Sequence, residues 1–314
     1  MQTSLRIVGL IALAGAVGSS AEHVVFQWPD SSHYCRALVN ANQHIEFYIK
    51  KHPQWFSQDK LVTDFSIIDV PVGGQEAAAK QYNSLRKLLE SRRMYVGTYI
   101  SGTTALPDAE QNHYPYGAVS IEQMPRTAHY SGSWPGHPTR RTVDISDLET
   151  RHALEGQIRR LWETVPAPIR FVDNIPPHPK VLKMQPWEVS CAYMQELRGI
   201  GESLGSRVLF NIAMHVGDLS DREAQQLMQA VGQGGIVLEM PWHANVRRDP
   251  AATARAQKRY RQLLDSRMAM VMIPVKTPED VLATWIRTWR KPTDNLYVST
   301  VFTKPPSASV YVAQ

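Results

Sequence analysis

Ile169-Arg170-Phe171-Val172-Asp173-Asn174 is a short apolar run that stops on an acid. Gly235-Ile236-Val237-Leu238-Glu239-Met240-Pro241-Trp242-His243 repeats the arrangement: an apolar run, a carboxylate, then a loop carrying Pro and aromatics. Runs of this kind suit strands buried on both faces, as in parallel sheets. Where strands alternate with helices, acids at the C-terminal ends of two strands open onto the same mouth. Either acid alone is accounted for by a turn cap or an Arg partner. Two acids in equivalent positions point to function.

Outward from these two runs, further strand patterns occur at residues 23–28, 64–70, 94–100, 142–145, 207–213 and 268–274, with a ninth at 297–301. Helical patterns lie between them, at 75–92, 147–164, 187–204, 220–231, 250–264 and 278–289. Ser146 with Glu149 and Ser220 with Glu223 read as capping boxes, and Thr277 with Asp280 repeats the cap-plus-acid start. Roughly eight strands alternating with helices, at about thirty to forty residues per unit, predict an α/β fold, a single-domain (β/α)8 barrel. The open doubly wound alternative wants a Gly-rich turn after the first strand, and Trp28-Pro29-Asp30-Ser31-Ser32 has none.

The 314 residues, 43% hydrophobic and 20% charged, suffice for one large core. Arg6, the apolar run Ile7 to Gly18, and Ser19-Ser20-Ala21 form the pattern of a secretory signal over residues 1–21. The barrel is then expected over 22–314, and the protein is expected to be secreted or periplasmic. No later stretch is apolar enough for a membrane span. The net charge of +5 is spread along helices, with no basic arm, so no nucleic-acid partner is expected, and no Cys directly follows the apolar run as a lipoprotein anchor would need. Cys35 and Cys191 either form one disulfide closing a very long loop or remain two buried thiols.

Residues 101–141 are expected to form a long irregular insertion after the third strand. The segment holds His113, Tyr114, Tyr116, His129, Tyr130, Trp134 and His137, a composition too aromatic for disorder. An ordered cover over the mouth is predicted, with Trp134 stacking on sugar rings. The histidine spacing matches no metal-ligand motif, and neither a metal nor a cofactor is expected.

Two carboxyls suit hydrolysis of a glycosidic bond, one giving a proton to the leaving oxygen and the other acting as nucleophile or base. Glu239, flanked by Leu238 and Met240, is in the setting that keeps a carboxyl protonated and is the expected acid. Asp173 is then the nucleophile or base. Supporting sugar-binding groups are expected from Asp64, Asp69, Tyr99, Asn174, His215, Trp242 and His243, mostly at or near strand ends, while Asp144 and Asn211 are either hydrogen-bonded barrel residues or ligands of sugar hydroxyls. A serine hydrolase is disfavoured because no Gly-x-Ser-x-Gly elbow occurs.

The order Val143-Asp144-Ile145-Ser146, Arg151 with Gln157-Ile158-Arg159, Phe171-Val172-Asp173-Asn174, Phe210-Asn211-Ile212 and Leu238-Glu239 resembles the endo-α-1,4-polygalactosaminidase and spherulin-like group of barrel glycoside hydrolases. It is also similar to a broader set of glycosidase-like barrels. The resemblance covers residues 64–274 and implies Asp173 and Glu239 as the catalytic pair. Where that group approaches its Asp through a Gly-hydrophobic-Asp step, this chain has Pro168-Ile169-Arg170-Phe171. The expected function is hydrolysis of a polysaccharide or oligosaccharide, one with amino sugars being the resemblance's suggestion. The competing expectation is a barrel that binds carbohydrate without turnover.

Overall fold

The computed structural model describes residues 23–27, 62–66, 68–69, 83, 86–87, 97–111, 119–134, 137–175, 186–212, 216–239, 249–273, 291, 294 and 296–298. The first strands are β1 (His23–Gln27), β2 (Val62–Ser66), β3 (Ile68–Asp69) and β4 (Gly97–Ser101). Next come β5 (Thr104–Leu106), the single turn α1 (Asp108–Gln111), β6 (Val119–Ser120), β7 (Tyr130–Trp134) and β8 (His137–Val143). The chain then alternates α2 (Leu148–Thr164), β9 (Ile169–Ile175), α3 (Trp187–Ser203), β10 (Arg207–Ile212), α4 (Asp221–Val231), β11 (Gly235–Glu239), α5 (Pro250–Asp265) and β12 (Ala269–Ile273). β13 (Leu296–Val298) is the last described strand.

Seven strands form one sheet in the order β13-β12-β11-β10-β9-β4-β3, and every neighbouring pair in it is parallel. Parallel neighbours require a crossover, and α3, α4 and α5 supply those from β9 through to β12. β1 and β2 pair with each other, also in parallel; β1 lies against β13 and β2 against β4. The described chain is therefore an α/β fold built on a mostly parallel sheet.

Strand alternation divides the sheet into two faces. Val208, Phe210 and Ile212 of β10, Val172 of β9, and Ile236 and Leu238 of β11 pack into the core with the helices. The helices answer with stripes at helical spacing: Leu154, Ile158 and Leu161 of α2; Met194 and Leu197 of α3; Leu227 and Val231 of α4; Ala256, Tyr260 and Leu263 of α5. Each fully buried Leu or Ile contributes roughly 1.5–3 kcal/mol. α3 approaches β10 so closely that a Cβ on Gly201 would come within 2.2 Å of Val208 Cγ2.

Arg170 of β9 is buried among these apolar groups. Its guanidinium donates to Ser206 Oγ, Thr98 Oγ1 and the Trp162 carbonyl, and lies 5.6 Å from the Trp162 ring. It ties β4, β9, α2 and the turn before β10 together. Cys191 of α3 is a free, buried thiol, which of the two alternatives for the cysteines favours unpaired thiols; Cys35 lies outside the described residues.

Three expectations need correction. The described residues of segment 101–141 are not irregular. They make a four-stranded sheet, β6-β5-β8-β7, in which β8 runs antiparallel to β5 and to β7. Residues 142–143, expected in the fourth central strand, belong to β8 of this second sheet. The sequence hides it because His137-Pro138-Thr139-Arg140-Arg141-Thr142 carries no apolar period. The start of α2 is also displaced by one residue. Ser146 spends its amide and hydroxyl on Asp144 Oδ1, and Asp147 caps the helix by accepting from the Thr150 amide at 2.8 Å. The Ser220–Glu223 capping box at α4 forms as expected. The segments 1–21 and 278–289 lie outside the described residues, as does most of 75–92; no described helix is long and apolar enough to cross a membrane.

Candidate functional site

Phe171 and Asp173 of β9 and Leu209 and Asn211 of β10 occupy the sheet face opposite the helix-packed core, close to the C-terminal strand ends. Asp173 is only 6% exposed and Asn211 7%, so each needs a partner. They are partners of each other: Asn211 Nδ2 donates to Asp173 Oδ1 at 2.8 Å. The Asn174 amide donates to the same oxygen at 2.7 Å. Two N–H donors on one carboxylate oxygen set the plane of the carboxyl group.

A bulge in β9 makes this geometry. Val172 pairs with Phe210, but Ile212 pairs with Ile175, so β9 carries an extra residue at Asp173–Asn174. Asn174 absorbs it with φ at +58°, the left-handed region that Asn tolerates better than most residues. Its carbonyl accepts from Thr103 Oγ1 at 2.8 Å, and its Nδ2 donates to Ser101 Oγ at 2.9 Å. Bulges near strand ends re-aim a side chain, and strained residues gather at functional sites.

The end of β4 forms the adjoining wall. Ser101 is paired in register with Asp173, and the Gly102 amide donates to the Asp173 carbonyl at 2.7 Å. A Cβ on Gly102 would meet Val172 Cγ1 at 2.5 Å, so only glycine fits this close approach. The Tyr193 hydroxyl of α3, wholly buried, donates to the Gly102 carbonyl. Ser101 Oγ donates to Thr104 Oγ1 at 2.6 Å, and the Arg140 guanidinium of β8 reaches both hydroxyls at 3.4–3.5 Å. Arg140, Ser101, Thr103 and Thr104 are all buried. The second sheet thus sets a charged side chain directly behind the end of β4.

Three predicted residues, Asp173, Asn174 and Asn211, converge in one network. Glu239 ends β11, opposite Ile273 of β12 and two strands from β9. Tyr99 lies in register with Phe171 and with Asp69 of β3, and Asp64 is on β2 beside Val25. Trp134 ends β7, paired with His137. The side chains of Glu239, Tyr99, Asp69, Asp64 and Trp134 lie outside the described residues, as do His215, Trp242 and His243 altogether. Asp144 is a correction. It follows β8 of the second sheet, not a central strand, and its Oδ1 accepts from the Ser146 amide at 3.0 Å. Ser101, Thr103, Thr104, Arg140 and Tyr193 were not expected. Ser and Thr next to Gly102 read as an ordinary turn, and an Arg in a polar run reads as exposed.

Another titratable group lies between α2 and α3. Arg151 Nε is 3.6 Å from Glu155 Oε1 and 3.1 Å from Glu196 Oε2. Burial, together with the neighbouring Glu196 carboxyl, pushes Glu155 up to about 8, Arg151 opposing only in part. Burial beside these groups also raises Tyr193 well above the usual phenol value.

No family model matches the chain, and no curated protein matches it by sequence. Solved structures do match. A GH5_18 protein from Streptomyces cattleya, in complex with GlcNAc, aligns over 91% of this chain and 71% of its own with a TM-score of 0.57 and 10% identity. A noncanonic maltogenic α-amylase, AmyB from Thermotoga neapolitana, aligns over 90% of this chain and 67% of its own with a TM-score of 0.49 and 10% identity. Aspergillus fumigatus Ega3, in complex with galactosamine, aligns over 69% of this chain and 78% of its own with a TM-score of 0.43 and 11% identity. At 10% identity the first of these shows a shared α/β fold and nothing of activity.

Proposed function

We propose that this chain is an exported glycoside hydrolase that cleaves a polysaccharide containing amino sugars, with Asp173 and Glu239 as its carboxyl pair. The observation that carries the reading is Asp173 itself. It is a buried carboxylate at a bulged strand end, its Oδ1 held by Asn211 and by the Asn174 amide. Glu239 closes β11, with β10 alone between the two strands. Neighbouring strands lie about 4.8 Å apart, and Glu239 lies two residues beyond Val237, which is level with Asn211 and Asp173, so the backbones bearing the two acids are about 12 Å apart. The two-residue period of a strand assigns position 239 to the face of Val237, the same face as Asp173. The reading requires the two carboxyls to stand ~5–9.5 Å apart, the separation that glycosidases use.

In this mechanism Glu239, protonated, gives its proton to the glycosidic oxygen as the C1–O bond breaks. Asp173 either bonds to C1, for water to displace, or takes the proton of a water that attacks C1. Its negative charge lies close to the positive charge developing at C1 and the ring oxygen. Asn174, Asn211, Tyr99, Asp69, Asp64, His215, Trp242, His243 and Trp134 are assigned to sugar binding. The contacts of β1 with β13 and of β2 with β4 support closure of the sheet into a (β/α)8 barrel. Segment 1–21 supports export, and amino sugars are in keeping with the GlcNAc bound by the Streptomyces protein.

The test is release of reducing ends from poly-α-1,4-galactosamine and from partially deacetylated chitosan. Asp173→Asn and Glu239→Gln are each expected to lower the rate by about a thousand-fold or more while the sugar is still bound. Hydrolysis at the wild-type rate in either variant refutes the pair. Binding without hydrolysis in the wild type favours the silent barrel.

A further inference from the structure

We infer that the second sheet is a working part of this site, and that Arg140 and Ser101 are positioning residues for Asp173, acting through Asn174. The kinetic side of this inference rests on the hydrolase reading. Its structural side does not.

The chain of contacts is continuous. Arg140 Nη2 lies 3.5 Å from Ser101 Oγ and 3.4 Å from Thr104 Oγ1, and Ser101 Oγ donates to Thr104 Oγ1 at 2.6 Å. Ser101 Oγ can give its single hydrogen to one acceptor only. With that hydrogen on Thr104, its lone pairs face Arg140 and Asn174 Nδ2, which donates to it at 2.9 Å. The orientation of the Asn174 carboxamide, and with it the left-handed backbone at φ +58°, is thereby specified. The Asn174 amide that this backbone presents is one of the two donors on Asp173 Oδ1.

Every side chain along the route except Asn174, which is half-buried, is buried, so water does not readily stand in for a lost member. A left-handed Asn is strained, and persists only where its surroundings over-determine it. Here the surroundings are Thr103 on its carbonyl, Asp173 on its amide and Ser101 on its side chain. Arg140 arrives from β8, 39 residues along the chain from Ser101. The hairpin β7–β8 brings it there, since β8 pairs with β5 through Thr104 and Thr142. The second sheet therefore does more than cover the end of β4. It holds the group that aims the carboxylate.

The experiment compares Ser101→Ala, Arg140→Met and Arg140→Lys in the full chain, with Asp173→Ala as reference. The first readout needs no substrate: the backbone amide resonance of Asn174 in a 15N-labelled protein. In Ser101→Ala and Arg140→Met this resonance is expected to move from its wild-type position toward the one it takes in Asp173→Ala. Arg140→Lys is expected to return it part of the way. The second readout is kcat and KM on whichever of poly-α-1,4-galactosamine and chitosan the wild type cleaves. The two variants are expected to lose about ten-fold or more in kcat, a larger change than in KM, since misplacing a reacting group costs turnover. The double variant should be no slower than the slower single. Asn174→Gly, which adopts positive φ without a tether, keeps the test open if Arg140→Met fails to fold. In that background Ser101→Ala should cost less than two-fold. An Asn174 amide unmoved by Ser101→Ala, or additive losses in the double variant, overturns the inference. Activity surviving Asp173→Ala overturns the hydrolase reading instead, and leaves the amide readout to decide the positioning on its own.

Discussion

Replacing Glu155 by Gln should change the way this protein's stability depends on pH. In the folded state the Glu155 carboxyl is raised from the ordinary 4.5 to about 8, because burial and the Glu196 carboxyl both disfavour its charged form. A raised carboxyl binds its proton more tightly in the folded than in the unfolded chain. Its contribution is therefore fully present below pH 4.5, declines as pH rises, and is lost by about pH 8. Across that interval the linkage amounts to at most about 5 kcal/mol at 1.36 kcal/mol per pH unit. Glu196 is about one-third exposed and Arg151 stands beside both acids, so screening reduces the expected effect to roughly 2–4 kcal/mol. Gln keeps the shape and a donor toward Glu196 but has nothing to ionise. Urea unfolding followed by tryptophan fluorescence at pH 5, 7 and 9 measures the difference directly. The variant should match the wild type within about 0.5 kcal/mol at the lowest pH and exceed it by roughly 2–4 kcal/mol at the highest. Titrations of groups away from Arg151 and Glu196 are common to both proteins and cancel. Parallel pH profiles for the two proteins would refute the reasoning, because Glu155 would then ionise alike in the folded and unfolded chains.

Arg170→Ala removes a buried guanidinium and leaves Thr98, Ser206 and the Trp162 carbonyl without its donors. A loss of about 3–5 kcal/mol is expected in thermal or urea unfolding, and a loss under 1 kcal/mol would mean water or a neighbour replaces it. Gly201→Ala would bring a Cβ within 2.2 Å of Val208 Cγ2, so α3 must shift away from β10. A destabilisation of about 1–3 kcal/mol is expected, and an unchanged melting temperature would show that Val208 simply turns aside. Asn211→Leu takes away one donor to Asp173 Oδ1 while keeping the side chain's bulk. If Asp173 acts in turnover, kcat should fall about ten-fold or more with unfolding little altered; unchanged kcat would set Asn211 outside the reaction.

Much of the fold was legible because it is written locally. The runs at β9, β10, β11 and β12 announce buried strands through contiguous apolar residues, and the Ser220–Glu223 box marks the start of α4 within four residues of chain. The acids near the end of β9 and closing β11 were visible for the same reason. The start of α2 was displaced from Ser146 to Asp147 because Asp144 competes for the Ser146 donors, a contest that spacing does not resolve.

Other features exist only through pairing across the chain. The transfer of Asp144 out of the central sheet follows from the antiparallel partnership of β5 with β8, which, like the arrival of Arg140 behind Ser101, joins residues some forty apart. The Asn211–Asp173 bond and the meeting of Arg151 with Glu196 do the same. A polar side chain looks the same in sequence whether water or a buried hydroxyl surrounds it. Apolar periodicity says which face of an element is hidden, but not what hides it. By itself the sequence determined the alternation of strands and helices and the acids at strand ends, since those follow from neighbours along the chain. Which polar groups surround Asp173, and how its carboxyl is aimed, was decided by tertiary structure, since only the packed sheets bring their donors within hydrogen-bonding distance.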